Sequence, residues 1–192
     1  MNELSDFNTL LKEKTVHSES IFEGQVLHLF KDEVETPNGI LSTREYARHR
    51  GAVAVVALDE KECVYLVRQY RYAIGRATVE IPAGKLEKGE NDLASAAARE
   101  LSEEVGITAD KMTFIGVYLP SPAVLTEKIH CFLAEGLQFG ETHPDEDENL
   151  LTVKMPLTEA VDRVLSGEWQ DGKTTFALQK VFLLKAKEKG IL

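Results

Sequence analysis

The chain has 192 residues, 43% hydrophobic and 28% charged, with 32 acidic side chains against 22 basic ones. That length suits one domain with a small appendage and is enough to bury a core. The formal net charge of −10 argues against a nucleic-acid partner, which needs basic surface to meet phosphates.

Residues 1–14 are polar and of mixed charge, without the apolar stretch of a signal peptide, and read as a short helix or a frayed arm. No apolar run approaches the ~18 residues of a bilayer span, so the expectation is a cytoplasmic protein with no membrane partner. From Thr15 to His49 the chain reads as strands. Val26 to Phe30 precedes Glu33-Val34-Glu35, and Pro37-Asn38-Gly39 supplies turn chemistry before Leu41 to Tyr46, giving an antiparallel hairpin or small sheet. Gly51 to Leu58 is a continuous apolar run and so a buried strand. Cys63 to Tyr70 follows an acidic turn, Thr78 to Ile81 is a short strand ended by Pro82, and Gly84 to Glu90 reads as loop. Asn91 or Asp92 is a plausible N-cap, and Gly106 a plausible stop, for a helix between them. Strands are then expected at Met112–Leu119, Ile129–Ala134 and Leu150–Met155, and helices at about Thr158–Leu165 and Thr174–Lys187, where apolar residues recur near helical period. Cys63 and Cys131 sit inside apolar runs at a spacing that matches no zinc motif, and read as buried thiols. Trp169 reads as a partly buried packing residue. The class is α+β, a mixed sheet between helices, with an N-terminal β-appendage over residues 1–49 and the main domain over 50–192.

The most informative segment is Arg99-Glu-Leu-Ser-Glu-Glu-Val-Gly106. On a helix, Glu100, Glu103 and Glu104 share a face, where like charges repel. A cation among them is the simplest reason to keep them there. Hard carboxylate oxygens favour magnesium, manganese or calcium over zinc.

Gly84-Lys-Leu-Glu-Lys-Gly-Glu90 followed by Arg99-Glu-Leu-Ser-Glu-Glu-Val-Gly-Ile107 resembles the Nudix box, a glycine–glutamate loop followed by R-E-U-x-E-E-x-G-U. The helical half matches at every specified position. One departure stands out: eight residues separate Glu90 from Arg99, one more than the family pattern, whose strict spacing would put Asn91 in the glutamate's place. We read a one-residue insertion at the loop-to-helix junction, where a loop can absorb it. The resemblance implies the Nudix fold and Mg²⁺, with Mn²⁺ as an alternative, held mainly by Glu100 and Glu104. It also implies Glu103 as a ligand, direct or through water, and the backbone carbonyl of Ala83 as another. Arg99 would orient a carboxylate, Glu103 lying four residues on. The implied substrate is a nucleoside diphosphate joined to another moiety.

The likeness extends to one branch of the family. Leu66-Val-Arg-Gln-Tyr-Arg71, Glu80-Ile-Pro-Ala-Gly-Lys-Leu86 and Ser121-Pro122 resemble the ADP-ribose pyrophosphatases, Pro122 lying fifteen residues after Ile107. The N-terminal segment is similar to the appendage that those enzymes exchange in a homodimer. Asp145-Glu-Asp-Glu148 on its own reads as a solvated loop. The resemblance makes it the catalytic loop, with Glu146 as general base and Glu148 as metal ligand, or the two roles exchanged. Arg71, Arg44 and Arg48 become candidates for phosphate or terminal-ribose contacts, each with a surface salt bridge as the rival account, and Arg44 would act from a partner subunit. Glu127 matches a family acidic residue near substrate. Ala123-Val124 departs from the glycine often found after the proline, and no adenine-stacking aromatic stands out beyond Phe22, His28 and Tyr46. The alternatives are another substrate, such as GDP-mannose or a dinucleoside polyphosphate, or a non-hydrolytic ADP-ribose or NAD sensor.

Overall fold

The computed structural model describes residues 3–144 and 149–191, and contacts divide the chain into two units. One is Met1–His49 with Ser121–Glu127, the other Arg50–Pro120 with Lys128–Leu192.

In the first unit, helix α1 (Glu3–Leu10) precedes strands β1 (Lys14–Glu23), β2 (His28–Glu35) and β3 (Leu41–Arg48), an antiparallel sheet in the order β1-β2-β3. The Pro37-Asn38-Gly39 turn closes β2 onto β3: the Thr36 amide donates to the Ile40 carbonyl at 2.9 Å, and Gly39 takes φ +79°. The Ser121–Glu127 segment lies along β3, with the Ala47 amide donating to Val124 and the Thr126 amide to Ala47. Every residue of β1 is exposed. In β2 only Asp32 and Val34 are buried.

The second unit is built on β4 (Ala52–Leu58), β5 (Cys63–Arg71), β6 (Arg76–Glu80), β7 (Ala83–Lys85), β8 (Ile107–Tyr118), β9 (Ile129–Phe139) and β10 (Leu151–Pro156). Its strands run in the order β10-β5-β4-β9-β8, with β6 beside β5 and β7 beside β4. The β4–β9 pair is parallel and the others antiparallel, so the sheet is mixed. Helix α2 (Leu93–Val105) covers one face, and α3 (Leu157–Leu165) and α4 (Gly172–Glu188) cover the other. The central strand shows why its run is wholly apolar. Val53, Val55 and Ala57 pack toward Ala97 and Leu101 of α2, while Ala54, Val56 and Leu58 pack toward Val161, Leu178 and Val181. Side chains alternate between faces, and here both faces are core. Trp169 is buried in the second of these clusters.

Three details differ from the sequence reading. The Gly84 end of the expected loop is strand, because Ala83, Gly84 and Lys85 pair with Ala54, Val53 and Ala52. Strands β8 and β9 are longer than expected, since Ile107–Lys111 pairs with Glu135–Phe139; here apolar Ile107, Ala109, Leu137 and Phe139 alternate with polar residues and glycine, in place of the continuous apolar run that marks the central strand. Finally, Cys131 is buried but Cys63 only partly so, because Cys63 opens its strand beside a turn. Burial pushes the Cys131 thiol up to about 11, which leaves it protonated and unreactive.

Candidate active site

Helix α2 is fixed at both ends. The Asp92 carboxylate accepts from the Ala94 and Ser95 amides at 3.1 Å, and Gly106 turns the chain with φ +65° while its amide donates to the Leu101 and Ser102 carbonyls. Between these caps the apolar stripe Ala97, Leu101 and Val105 faces the sheet, which carries Glu100 and Glu104 inward beside it. Both are buried, at 9% and 4% exposure.

They meet the short strand β7. The Ala83 amide donates to the Glu104 carboxylate at 3.1 Å. At Gly84 a Cβ would lie 2.0 Å from the Glu100 carboxyl carbon, so the glycine is there for close approach. Two buried carboxylates one turn apart, set against a strand backbone, give an oxygen-only donor set that fits a hard divalent cation. A softer metal would want sulfur or nitrogen.

Arg99 organises the outer edge. Its guanidinium meets Glu100 at 2.9 Å, Glu103 at 2.9 Å and Glu90 at 3.2 Å. Burial lowers its tendency to stay protonated, but Glu90, Glu100 and Glu103 more than offset this and raise its pKa. Glu103 therefore turns to Arg99, and among the described residues no three Asp, Glu, His or Cys side chains gather as a metal cluster. Between Glu90 and Arg99 the chain leaves a turn and enters the helix. The Glu90 amide closes a turn onto the Glu87 carbonyl at 3.2 Å, with Gly89 at φ +88°, and Asp92 then starts α2. Glu90 still reaches Arg99, and the Glu87 amide and Arg99 hold its carboxyl below the usual range.

Arg71, expected at the substrate, forks onto Glu80, Nε at 2.8 Å and Nη2 at 2.6 Å. Glu80 is 1% exposed and also takes hydrogen bonds from Thr78 at 2.5 Å and from Lys173. Burial pushes its carboxyl up, but Arg71, Lys173 and Thr78 together hold it at about 2. Lys173 also bonds Asp171 at 3.1 Å. Sequence reasoning missed Glu80, Lys173 and Asp171. The available signal was a carboxylate set between Val79 and Ile81.

The remaining candidates lie in the first unit. Arg44 pairs with Glu13, the Arg48 guanidinium stacks 3.7 Å from the Phe30 ring centroid, and Glu127 meets His49 at 3.3 Å. Pro122 is part of the segment joined to β3. Tyr46 stacks on Phe30 and Phe22 is exposed. Glu146 and Glu148 fall outside the described residues. The His143 amide, just before them in the chain, donates to the Glu103 carbonyl at 3.0 Å.

A helix that sets two buried carboxylates against a mixed sheet has the chemistry of a metal-assisted hydrolase. Comparison with known proteins takes this one step further. A family profile described as the NUDIX domain matches residues 48–178, and the chain belongs to that family. It is 44% identical over 178 residues to an ADP-ribose pyrophosphatase of Bacillus subtilis, covering 92% of this chain and 96% of that protein. A methanol dehydrogenase activator of Bacillus methanolicus is 42% identical, with the same two coverages. Among solved structures, an ADP compounds hydrolase superposes with a TM-score of 0.81 at 24% identity, covering 95% of this chain and 98% of that one.

Proposed function

We propose that this enzyme hydrolyses ADP-ribose to AMP and ribose 5-phosphate, using Mg²⁺ or Mn²⁺ held by Glu100, Glu104 and the Ala83 carbonyl. The observation that carries the reading is the seating of the buried Glu100 carboxylate against a glycine that leaves no room for a side chain. The 44% identity to an ADP-ribose pyrophosphatase over nearly the whole chain supports the choice of substrate. When bound, a divalent cation supplies neutralisation of the diphosphate charge and activation of water. Glu146 accepts the proton of the attacking water, Glu148 being the other candidate. The water oxygen bonds to phosphorus as the bridging P–O bond breaks. Arg99 keeps Glu100 and Glu103 oriented. Arg71 meets phosphate; by the family resemblance Arg44 (from a partner subunit), Arg48, Glu127 and Pro122 are the candidates for nucleotide-sugar contacts.

The test is a panel of ADP-ribose, GDP-mannose and a dinucleoside polyphosphate, assayed for released mononucleotide. ADP-ribose should be the preferred substrate. Glu104→Gln should lower kcat/KM by about a hundredfold or more with the fold intact, since even partners of metal ligands are worth up to about that much. Near-normal turnover in E104Q would sink the assignment.

The relative named as a methanol dehydrogenase activator favours a second reading, in which this hydrolysis serves a dehydrogenase. Wild-type protein would then raise the rate of a methanol dehydrogenase and E104Q would not.

We also propose a cytoplasmic homodimer that exchanges residues 1–49, supported by the apolar side chains which the first unit exposes. Among the described residues no helix is long and apolar enough to cross a membrane.

A further inference from the structure

Six polar side chains are buried among the described residues, and three of them, Glu80, Lys173 and Thr174, belong to one network. Two others are Glu100 and Glu104, and the network runs up to them. Lys173 lies in the first turn of α4, 8% exposed, bonded to Glu80 and Asp171. Asp171 caps α4 through the Thr174 amide and hydroxyl. Thr174 in turn accepts from the Ile81 amide at 3.0 Å. The chain from Glu80 to Gly84 is therefore tied at every residue: Glu80 by Lys173, Ile81 by Thr174, the Pro82 carbonyl by the Val55 amide, Ala83 by Glu104, and Gly84 by its pairing with Val53, where the Glu100 carboxylate packs close to it.

Stability alone is a weak reason for such a network. Buried ion pairs barely repay their desolvation, and apolar replacements of similar volume are often neutral or stabilising. Its charge balance does suggest a use. Arg71 and Lys173 face Glu80 and Asp171, two against two. Arg71 spends Nε and Nη2 on Glu80, and among the described residues Nη1 has no hydrogen-bond partner. Its side chain is 43% exposed, and Glu104 lies near enough to help keep it charged. Without Lys173, Glu80 and Asp171 would outnumber Arg71, and the cluster would repel an anion.

We propose that Lys173 is a positioning residue for the diphosphate: it neutralises and pins Glu80, so that Arg71, held on Glu80 through Nε and Nη2, presents Nη1 to the ligand. The inference rests on the ADP-ribose reading above. It is tested by a double-mutant cycle of Lys173→Met and Arg71→Met, with calorimetric titration of α,β-methylene ADP-ribose, which is not hydrolysed, in Mg²⁺. Thermal melting checks the fold of each variant. K173M should weaken binding about tenfold and raise KM for ADP-ribose similarly, with kcat changed less. K173R should restore most of the affinity, and the double variant should bind no more weakly than R71M alone. Wild-type affinity in K173M, or losses that multiply in the double variant, would overturn the role of Lys173. If K173M does not fold, K173Q, whose amide still donates to Glu80, carries the same cycle. Wild-type protein that binds the analogue but releases no AMP from ADP-ribose would overturn the pyrophosphatase reading alone.

Discussion

Gly84 shows how one missing methyl group builds a site. Its backbone is not in the left-handed region, so conformational strain is not what keeps a side chain away; the Glu100 carboxylate is. In Gly84→Ala the new Cβ would displace the end of a flexible side chain, which costs the fold little. The Glu100 oxygens, which we propose hold the metal, would move, and misplacement by about 1 Å can cost roughly a hundredfold in rate. We therefore expect G84A to melt within a few degrees of wild type while kcat/KM falls roughly a hundredfold, both readable on one preparation. Glu80 makes a second prediction at this scale. Its carboxyl is held at about 2, below the ordinary value near 4.5, so it binds a proton more readily unfolded than folded. Its contribution to stability is present above about pH 4.5 and is lost as the pH falls toward 2. Urea unfolding between pH 6 and 2.5 should show wild type losing stability more steeply than Glu80→Gln. Parallel curves would mean that Glu80 is not the group responsible.

At the scale of the element, α2 is a rigid mount whose ends were legible before its contacts were. The sequence offered Asn91 or Asp92 as the cap and Gly106 as the stop; Asp92 and Gly106 do those jobs. The two ends should differ in cost. Asp92→Ala loses two hydrogen bonds to backbone amides, worth about 1 kcal/mol. Gly106→Ala forces a side chain into a left-handed conformation and sets its Cβ 2.7 Å from the Gly140 carbonyl, so it should cost more than D92A in chemical denaturation. The Glu100–Glu104 spacing was equally readable, because helical period alone puts the two side chains on one face. What could not be read was β7, three residues with no alternation to betray a strand. Nor could the Glu80–Lys173 pair, whose members lie far apart in sequence. A lysine in the first turn of a helix reads as solvated until the packing of α4 buries it.

On the whole-molecule scale the two units differ in how they meet water. The second has apolar clusters on both faces of its sheet, as the continuous apolar run of its central strand and the helical periods near the end of the chain foretold. The first leaves Val16, Ile21, Phe22 and Leu41 at least half exposed, on a three-stranded sheet too small to bury a core of its own. Exposed apolar surface on that scale usually marks an interface, and a second copy of the chain is the occupant we propose. Light scattering should then give twice the monomer mass. The double substitution Ile21→Glu with Phe22→Glu places two carboxylates on this face and should halve that mass, leaving the melting of the second unit's apolar core in place. Wild-type protein that scatters as a monomer at micromolar concentration would remove the exchanged dimer, and with it the expectation that Arg44 acts from a partner subunit.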